Sequence, residues 1–294
     1  MTNPVGALPV SIVIPTVGRP GPLRQCLGSM AECDPGAAEV LVVDQSHDPE
    51  VVSVVSAFAS IGARVVPCHG HGVARGRNDG IRAAAHDVVL VTDDDCTVPP
   101  DWVATALRLH EAHPAAIVTG RVLPVGDPRA VPSTKEATEP HDFTGERHGG
   151  SLFPNDMVLP RDAVLAAGAF DERFGPAEAA EDNDFSYRWL RAGETIVFEP
   201  ALVVWHHDWR TPEELEQLYV RYARGQGFLY AKHLRQGDLL MLRWIARDLA
   251  WAARGALSAA VKHRRRWTDP RRGILRGMPG GFVSGWRTYR RGGR

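Results

Sequence analysis

Four short strand-like runs rich in valine, isoleucine and leucine recur in the first third of the chain, Val10 to Ile14, Val40 to Val43, Arg64 to Val66 and Val88 to Val91. Leu23 to Met30, Val51 to Ser60 and Ala74 to Ala85, which lie between them, have helical spacing. Brief runs rich in valine and isoleucine, bounded by turn residues, have the character of strands buried on both faces. Strand and helix in alternation constrain the fold strongly, because parallel neighbours need a helical crossover and that crossover is right-handed. The expectation is an α/β fold on a parallel sheet. Each run ends in a polar or proline-containing turn, so Thr16, Asp44 and the triplet Asp93, Asp94, Asp95 fall along one edge. Open sheets of this kind bind ligands at their carboxyl edge.

Three adjacent carboxylates repel one another unless a cation or solvent offsets the charge. Such an oxygen-rich cluster suits Mg²⁺ or Mn²⁺, which keep waters and bridge to a diphosphate. An acidic, solvated turn accommodates the same residues without any ion. In extended backbone alternate side chains face opposite ways, which sets Asp93 and Asp95 on one side and Asp94 on the other.

Further along, Val125 to Gly150 is rich in Pro, Gly, Thr and charge and reads as a long loop or flap. Met157 to Pro160 followed by Arg161 to Ala167 reads as a strand entering a helix, and Asp182 to Arg191 as a helix. Thr195 to Phe198 and Leu202 to Trp205 read as two strands parted by Glu199-Pro200. Beyond Asp208 the pattern is helical, opened by Thr211-Pro212-Glu213-Glu214, a cap with Pro at the first helical position and acids in the first turn. The length of 294 residues and a hydrophobic content of 44% fit one large domain, or one domain with an appendage. Cys26, Cys33, Cys68 and Cys96 lack metal-ligand spacing and read as reduced thiols of a cytoplasmic protein. Residues Met1 to Pro9 lack the pattern of a signal peptide, and no apolar stretch reaches the roughly 20 residues that span a bilayer. The net charge of −1 conceals an asymmetry: from Arg243 onward 14 Lys and Arg face only Asp248 and Asp269.

Five segments together resemble a family 2 glycosyltransferase. They are Ser11-Ile12-Val13-Ile14-Pro15-Thr16, Val40-Leu41-Val42-Val43-Asp44-Gln45-Ser46, Ala74-Arg75-Gly76-Arg77-Asn78-Asp79-Gly80 with the Asp triplet after it, Glu181-Asp182-Asn183-Asp184, and Trp205-His206. The resemblance implies a GT-A-type fold, a mostly parallel sheet flanked by helices. A catalytic domain would occupy 1–210, with a nucleotide-binding half over 9–100 and an acceptor half over 101–210, and 211–294 would form a helical, basic extension. It also implies transfer of a sugar, with inversion, from a nucleotide diphosphate to an acceptor hydroxyl, assisted by Mn²⁺ or Mg²⁺ acting as a Lewis acid. By the same resemblance Asp95 binds the metal and Asp93 holds the ribose or the metal's water shell. The register of the triplet is open by one residue, which keeps Asp94 in the donor-binding set.

His206 would complete the metal or diphosphate site, with His207 as its alternative. Asp44 would accept the ring N–H of the base, a geometry that favours UDP or dTDP, with Pro15 and Thr16 against the nucleoside; a turn-forming role for Asp44 is the competing reading. Arg77 and Asn78, at a helix start that favours anions, would meet the diphosphate or base, with Arg75 as a second arginine. Asp182 would be the general base, Asp184 a weaker alternative and Glu181 an acceptor-orienting residue. Asn155 and Asp156 are candidates for the donor sugar, and His69 and His71 for the loop near it. The C-terminal Leu239 to Ala260, with Trp244 and Trp251 among arginines, reads as a basic amphipathic helix on an anionic membrane surface, where a lipid-linked acceptor would be met at the inner face of the cell membrane. A helix packed on the protein with a solvated basic face, and nucleic-acid binding, are its rivals; no nucleic-acid partner is expected. A sugar-phosphate nucleotidyltransferase is disfavoured because Thr16-Val17-Gly18-Arg19-Pro20-Gly21-Pro22 is too Pro-interrupted to cradle a triphosphate. A catalytically silent protein that binds nucleotide sugars or membranes is disfavoured by the presence of both the triplet and Glu181-Asp182.

Overall fold

The computed structural model describes residues 6–68, 70–128, 130–146, 149–175, 179–207, 210–262 and 270–289. They divide into two compact units, Met1–Asp171 with Phe185–Asp208, and Glu172–Asp184 with Trp209–Arg294.

The first unit is built on a sheet in the order β3 (Ala63–Pro67), β2 (Ala37–Asp44), β1 (Leu8–Thr16), β4 (Val88–Val91), β8 (Met157–Pro160), β6 (Ile117–Val125), β9 (Ile196–His207) and β5 (Cys96–Thr97), with β7 (His141–Phe143) paired to β9. Strands β1 (Leu8–Thr16), β2 (Ala37–Asp44), β3 (Ala63–Pro67) and β4 (Val88–Val91) are parallel. Helices α1 (Pro20–Ala31), α2 (Pro49–Ser56) and α3 (Val73–Ala83) make the crossovers. The period-two pleat divides the strand residues between two cores. Val10, Ile12 and Ile14 pack with Leu23, Leu27 and Met30 of α1, whereas Val13, Leu41 and Val43 pack with Ala74 and Ile81 of α3. With both faces covered there is no solvent side, which is why these strands read as unbroken apolar runs. The register sets Thr16 beside Asp44, so β1 and β2 finish together, and Val13 beside Val91, so β4 stops three positions earlier and the aspartates follow it toward the same edge.

The other half of the sheet is mixed. Strand β8 (Met157–Pro160) runs antiparallel between β4 and β6 (Ile117–Val125), and β9 (Ile196–His207) lies parallel to β6. Short strands β5 (Cys96–Thr97) and β7 (His141–Phe143) flank β9 in antiparallel fashion. The two strands expected around Glu199-Pro200 are therefore one. The register of β6 against β9 slips between Thr119 and Arg121, and that irregularity accommodates the proline, which cannot donate to a ladder. The expected flap over Val125 to Gly150 is pinned to the sheet in two places: β7 pairs with β9, and Lys135 exchanges backbone hydrogen bonds of 2.9 and 3.0 Å with Val122. Helix α4 (Trp102–Ala112) and strand β6 are elements that sequence periodicity did not single out.

The second unit carries the start of α6 (Glu181–Arg191) and the helices α7 (Pro212–Arg235), α8 (Leu240–Lys262) and α9 (Pro270–Thr288); α5 (Arg161–Ala166) belongs to the first unit. Thr211 caps α7 through a capping box: its hydroxyl accepts from Glu214 N at 3.3 Å, and its own N–H donates to Glu214 Oε2 at 2.8 Å. Gly273, Gly277, Gly281 and Gly285 form one stripe of α9 that lies on the backbone of α7. A Cβ at Gly281 would stand 1.7 Å from the Arg224 carbonyl oxygen, so the helices approach as close as backbone permits.

Candidate functional site

At the carboxyl edge the three consecutive aspartates separate. Asp93 accepts from Arg77 Nη2 at 3.3 Å. Asp94 is fully buried and accepts from the Thr16 hydroxyl, from Arg19 Nε at 3.1 Å and from Arg19 Nη2. Asp95 accepts from Arg19 Nη1 at 2.9 Å through Oδ2, and its Oδ1 lies 3.4 Å from His206 Nε2. Burial pushes the Asp94 carboxyl up to about 7; the Arg19 guanidinium and the Thr16 hydroxyl oppose that rise while the neighbouring aspartates add to it. His206 arrives because β5 turns back onto β9 with Cys96 opposite His206. His207, on the other face of β9, meets the Thr97 hydroxyl through Nε2 at 2.9 Å.

Arg19 is a site residue that sequence reasoning passed over. From sequence the turn after β1 reads as too Pro-interrupted to cradle a triphosphate; the signal for Arg19 is a basic side chain three residues after Thr16, at the sheet edge that also carries three aspartates. Pro20 at the first position of α1 fixes the helix start and leaves Arg19 outside it, over the strand ends.

The start of α3 packs hard against β1 and β2. Gln45 exchanges two hydrogen bonds with Gly72, the residue before the helix (2.8 and 3.2 Å), and a Cβ at Gly76 would meet Gln45 Nε2 at 2.5 Å and Pro15 Cβ at 3.1 Å. This approach turns Arg77 inward, 3% exposed, against Asp93 and over the Phe170 ring at 5.7 Å. The Asn78 amide exchanges two hydrogen bonds with the backbone of Phe170, 2.8 and 3.1 Å, and so ties α3 to that loop. Asp44 Oδ1 accepts from Ser46 N at 2.9 Å and from the Ser46 hydroxyl at 2.6 Å, folding the turn after β2. Pro15 and Thr16 end β1 and are buried there. His71 is exposed; His69 lies outside the described residues.

Behind the triplet, Thr92 donates to the Asn155 carbonyl at 2.8 Å, and Asn155 Nδ2 lies 3.5 Å from His206 Nδ1. Asn155 Oδ1 is buried with no hydrogen-bond partner among the described residues. Asp156, next in the chain, points into the core. Its Oδ1 accepts from Trp102 Nε1 at 3.2 Å, and burial pushes the carboxyl well above its ordinary value, which favours the neutral form.

Asp95 and His206 suit a divalent cation in chemistry and spacing. Their facing atoms are 3.4 Å apart, near the roughly 3 Å edge of an octahedron with bonds of about 2.1 Å. A half-turn of the Asn155 amide would set its orphaned Oδ1 against a protonated Nδ1 of His206, the outer hydrogen bond typical of a ligating histidine. Among the described residues no three His, Cys, Asp or Glu side chains gather as a ready-made cage. That matches a cation held by one or two protein groups, with phosphate oxygens and water supplying the rest.

In the second unit, Glu181, Asp182 and Asp184 occupy the first turn of α6 and complement its positive dipole end. Residues three apart share a helix face. Glu181 and Asp184 are buried, whereas Asp182 is half-exposed. Asp184 accepts from Lys232 Nζ at 2.7 Å and meets His233 Nε2 at 2.9 Å. Its two oxygens are thereby engaged by α7, and Asp182 is the carboxylate of this turn on the more open face.

A sequence model described as Glycosyl transferase family 2 matches residues 11–162, just over half of the chain. The pre-mycofactocin glycosyltransferase of Mycobacterium tuberculosis is 29% identical over 212 residues, 69% of this chain and 43% of that protein. The glucosyl-dolichyl phosphate glucuronosyltransferase of Haloferax volcanii is 33% identical over 203 residues, 62% of this chain and 63% of that protein. The chain thus spans less than two thirds of the length of these curated relatives. Among solved structures, the mannosyltransferase PcManGT from Pyrobaculum calidifontis, in complex with GDP-Man and Mn²⁺, superposes with a TM-score of 0.60 at 20% identity and covers 98% of this chain and 89% of that one. GalNAc-T7 with UDP, GalNAc and Mn²⁺ gives 0.56 at 15% identity, over 79% of this chain and 51% of the other. At these identities the likeness is one of fold.

Proposed function

The chain belongs to glycosyl transferase family 2, and on that footing we propose that it moves a sugar from a nucleotide diphosphate donor to an acceptor hydroxyl with inversion at the anomeric carbon. The observation that carries the reading is the approach of His206 to Asp95, 3.4 Å, at the sheet edge that also holds Thr16, Asp93 and Arg77. In this reading Pro15, Thr16 and Asp44 receive the nucleoside. Asp44 spends Oδ1 on its own turn and leaves Oδ2 for a ring N–H, an arrangement that favours UDP or dTDP. Arg77, with Asp93 at the ribose, faces the diphosphate, and Asn78 keeps α3 in position. Asp95 and His206 would hold Mn²⁺ or Mg²⁺, which when bound offsets the charge that develops on the departing diphosphate.

Asp182 takes the acceptor's hydroxyl proton as the new bond from oxygen to the anomeric carbon forms and the bond to phosphate oxygen breaks. The nucleoside diphosphate leaves with the electron pair. The half-exposure of Asp182, against the full burial of Asp184, supports Asp182 over its neighbour as the base, and Glu181 beside it would orient the acceptor. The name of the haloarchaeal relative supports an acceptor carried on a lipid, in glycolipid or cell-surface polysaccharide synthesis, reached at an anionic membrane surface on the cytoplasmic side.

Calorimetric titration of UDP, dTDP, GDP and ADP with and without Mn²⁺ tests the donor half. Metal-dependent binding of one pyrimidine diphosphate, lost in Asp95→Ala, is expected; no binding of any of them overturns the reading. Asp182→Asn should keep that binding and lose turnover by about 100-fold or more, whereas near-normal turnover would remove Asp182 from the base role.

A further inference from the structure

Besides the face it buries, helix α8 exposes one apolar stripe and one basic stripe. Met241, Trp244, Asp248, Ala252 and Gly255 form its buried stripe, and the single acid among them, Asp248, is bonded by the Tyr230 hydroxyl at 2.6 Å. Away from that stripe, Leu239 just before the helix, then Leu242, Ala246, Leu249 and Ala253, recur at three- and four-residue steps and are exposed, Leu239 by 70% and Leu242 by 54%. Arg243, Arg247 and Arg254 line one flank of this apolar stripe and are exposed as well. No exposed acid interrupts either row, since Asp238 and Asp248 are both buried. No helix among the described residues is long and apolar enough to cross a membrane. An isolated exposed leucine needs no explanation, but a leucine stripe edged by arginines and free of acids has one fitting counterpart, an apolar layer roofed by negative charge.

We propose that the outward face of α8 docks on an anionic lipid bilayer, with Leu239, Leu242 and Leu249 seated at the acyl boundary and Arg243, Arg247 and Arg254 on lipid phosphates. The helix lies along the membrane plane. A second copy of the chain in this position would bring two arginine rows together, and a nucleic acid would leave the leucines in water. The inference deepens the membrane side of the function proposed above, and its test uses no turnover, so its failure and the failure of the transferase reading are separate events.

The full chain is sedimented with phosphatidylcholine vesicles with and without phosphatidylglycerol, at low and high salt. Binding is expected only with phosphatidylglycerol, and it weakens as salt rises. Leu242→Asp with Leu249→Asp should weaken it at least tenfold. Each interfacial arginine contributes about fivefold, so reversing all three to glutamate should weaken it about 100-fold or more. Arg24→Glu, a single charge reversal on α1, should leave binding unaltered. Should a variant fold poorly, an environment-sensitive dye on Ala246→Cys gives a second reading: a blue shift on anionic vesicles is expected, and no shift overturns the proposal. It is equally overturned by binding that ignores the leucine and arginine variants, or by a chain that elutes as a dimer and becomes monomeric in Leu242→Asp with Leu249→Asp.

Discussion

Arg19 joins Asp94 and Asp95 at 3.1 and 2.9 Å and is the cation that lets two adjacent, buried carboxylates coexist. Breaking a buried pair by removing one partner leaves an uncompensated charge. Arg19→Met should therefore destabilise the first unit by about 3 kcal/mol in urea unfolding. The sign with pH follows from Asp94, whose folded value near 7 lies above that of the unfolded chain. Below that value it is protonated and needs no cation, so the deficit should be smaller at about pH 5 than at about pH 8. Asp156 tests the same linkage without a cation. Burial raises its carboxyl, so its contribution to stability is complete only below the unfolded value near 3.9 and declines as pH rises. Asp156→Asn keeps an acceptor for Trp102 and removes the titration. Its Tm should exceed that of the wild type by about 3 °C at about pH 8 and converge with it near pH 4. Neither residue's role was legible beforehand, because each depends on partners 54 or more positions away.

Among elements, the contact of α7 with α9 rests on absent side chains. Without glycine at 273, 277, 281 and 285 the two backbones could not meet, since added Cβ atoms would fall within 2.6 Å of carbonyl oxygens on α7. Gly281→Ala should cost about 3 kcal/mol by forcing the helices apart. Gly280→Ala, one position round the helix and exposed, has only the end of the Arg224 side chain near it and should be neutral or stabilise by up to about 1 kcal/mol. Equal effects of the two substitutions in thermal unfolding would refute the packing argument. The four-residue glycine spacing was visible in the sequence, but spacing alone does not say which helix comes to lie against it.

For the whole molecule, ligand linkage connects the donor site to global stability. UDP with Mn²⁺ at about 100 times its dissociation constant should stabilise the folded state by about 2.7 kcal/mol, read as a rise in Tm, and Asp95→Ala should abolish the rise. The alternating strands and helices, the carboxylates at strand ends, the Thr211 cap and the family can be read from the chain alone, because apolar period, turn chemistry and capping act within a few residues. Which aspartate of the triplet faces His206, 111 positions later, is settled by the fold, because strand register between β5 and β9 comes from pairing remote segments. The same holds for Arg19 over the triplet, for Asn155 behind His206, and for the engagement of Asp184 by Lys232 of α7. Local pattern carries no record of such pairings; they are fixed by packing, where charges removed from water must find partners wherever the fold brings them.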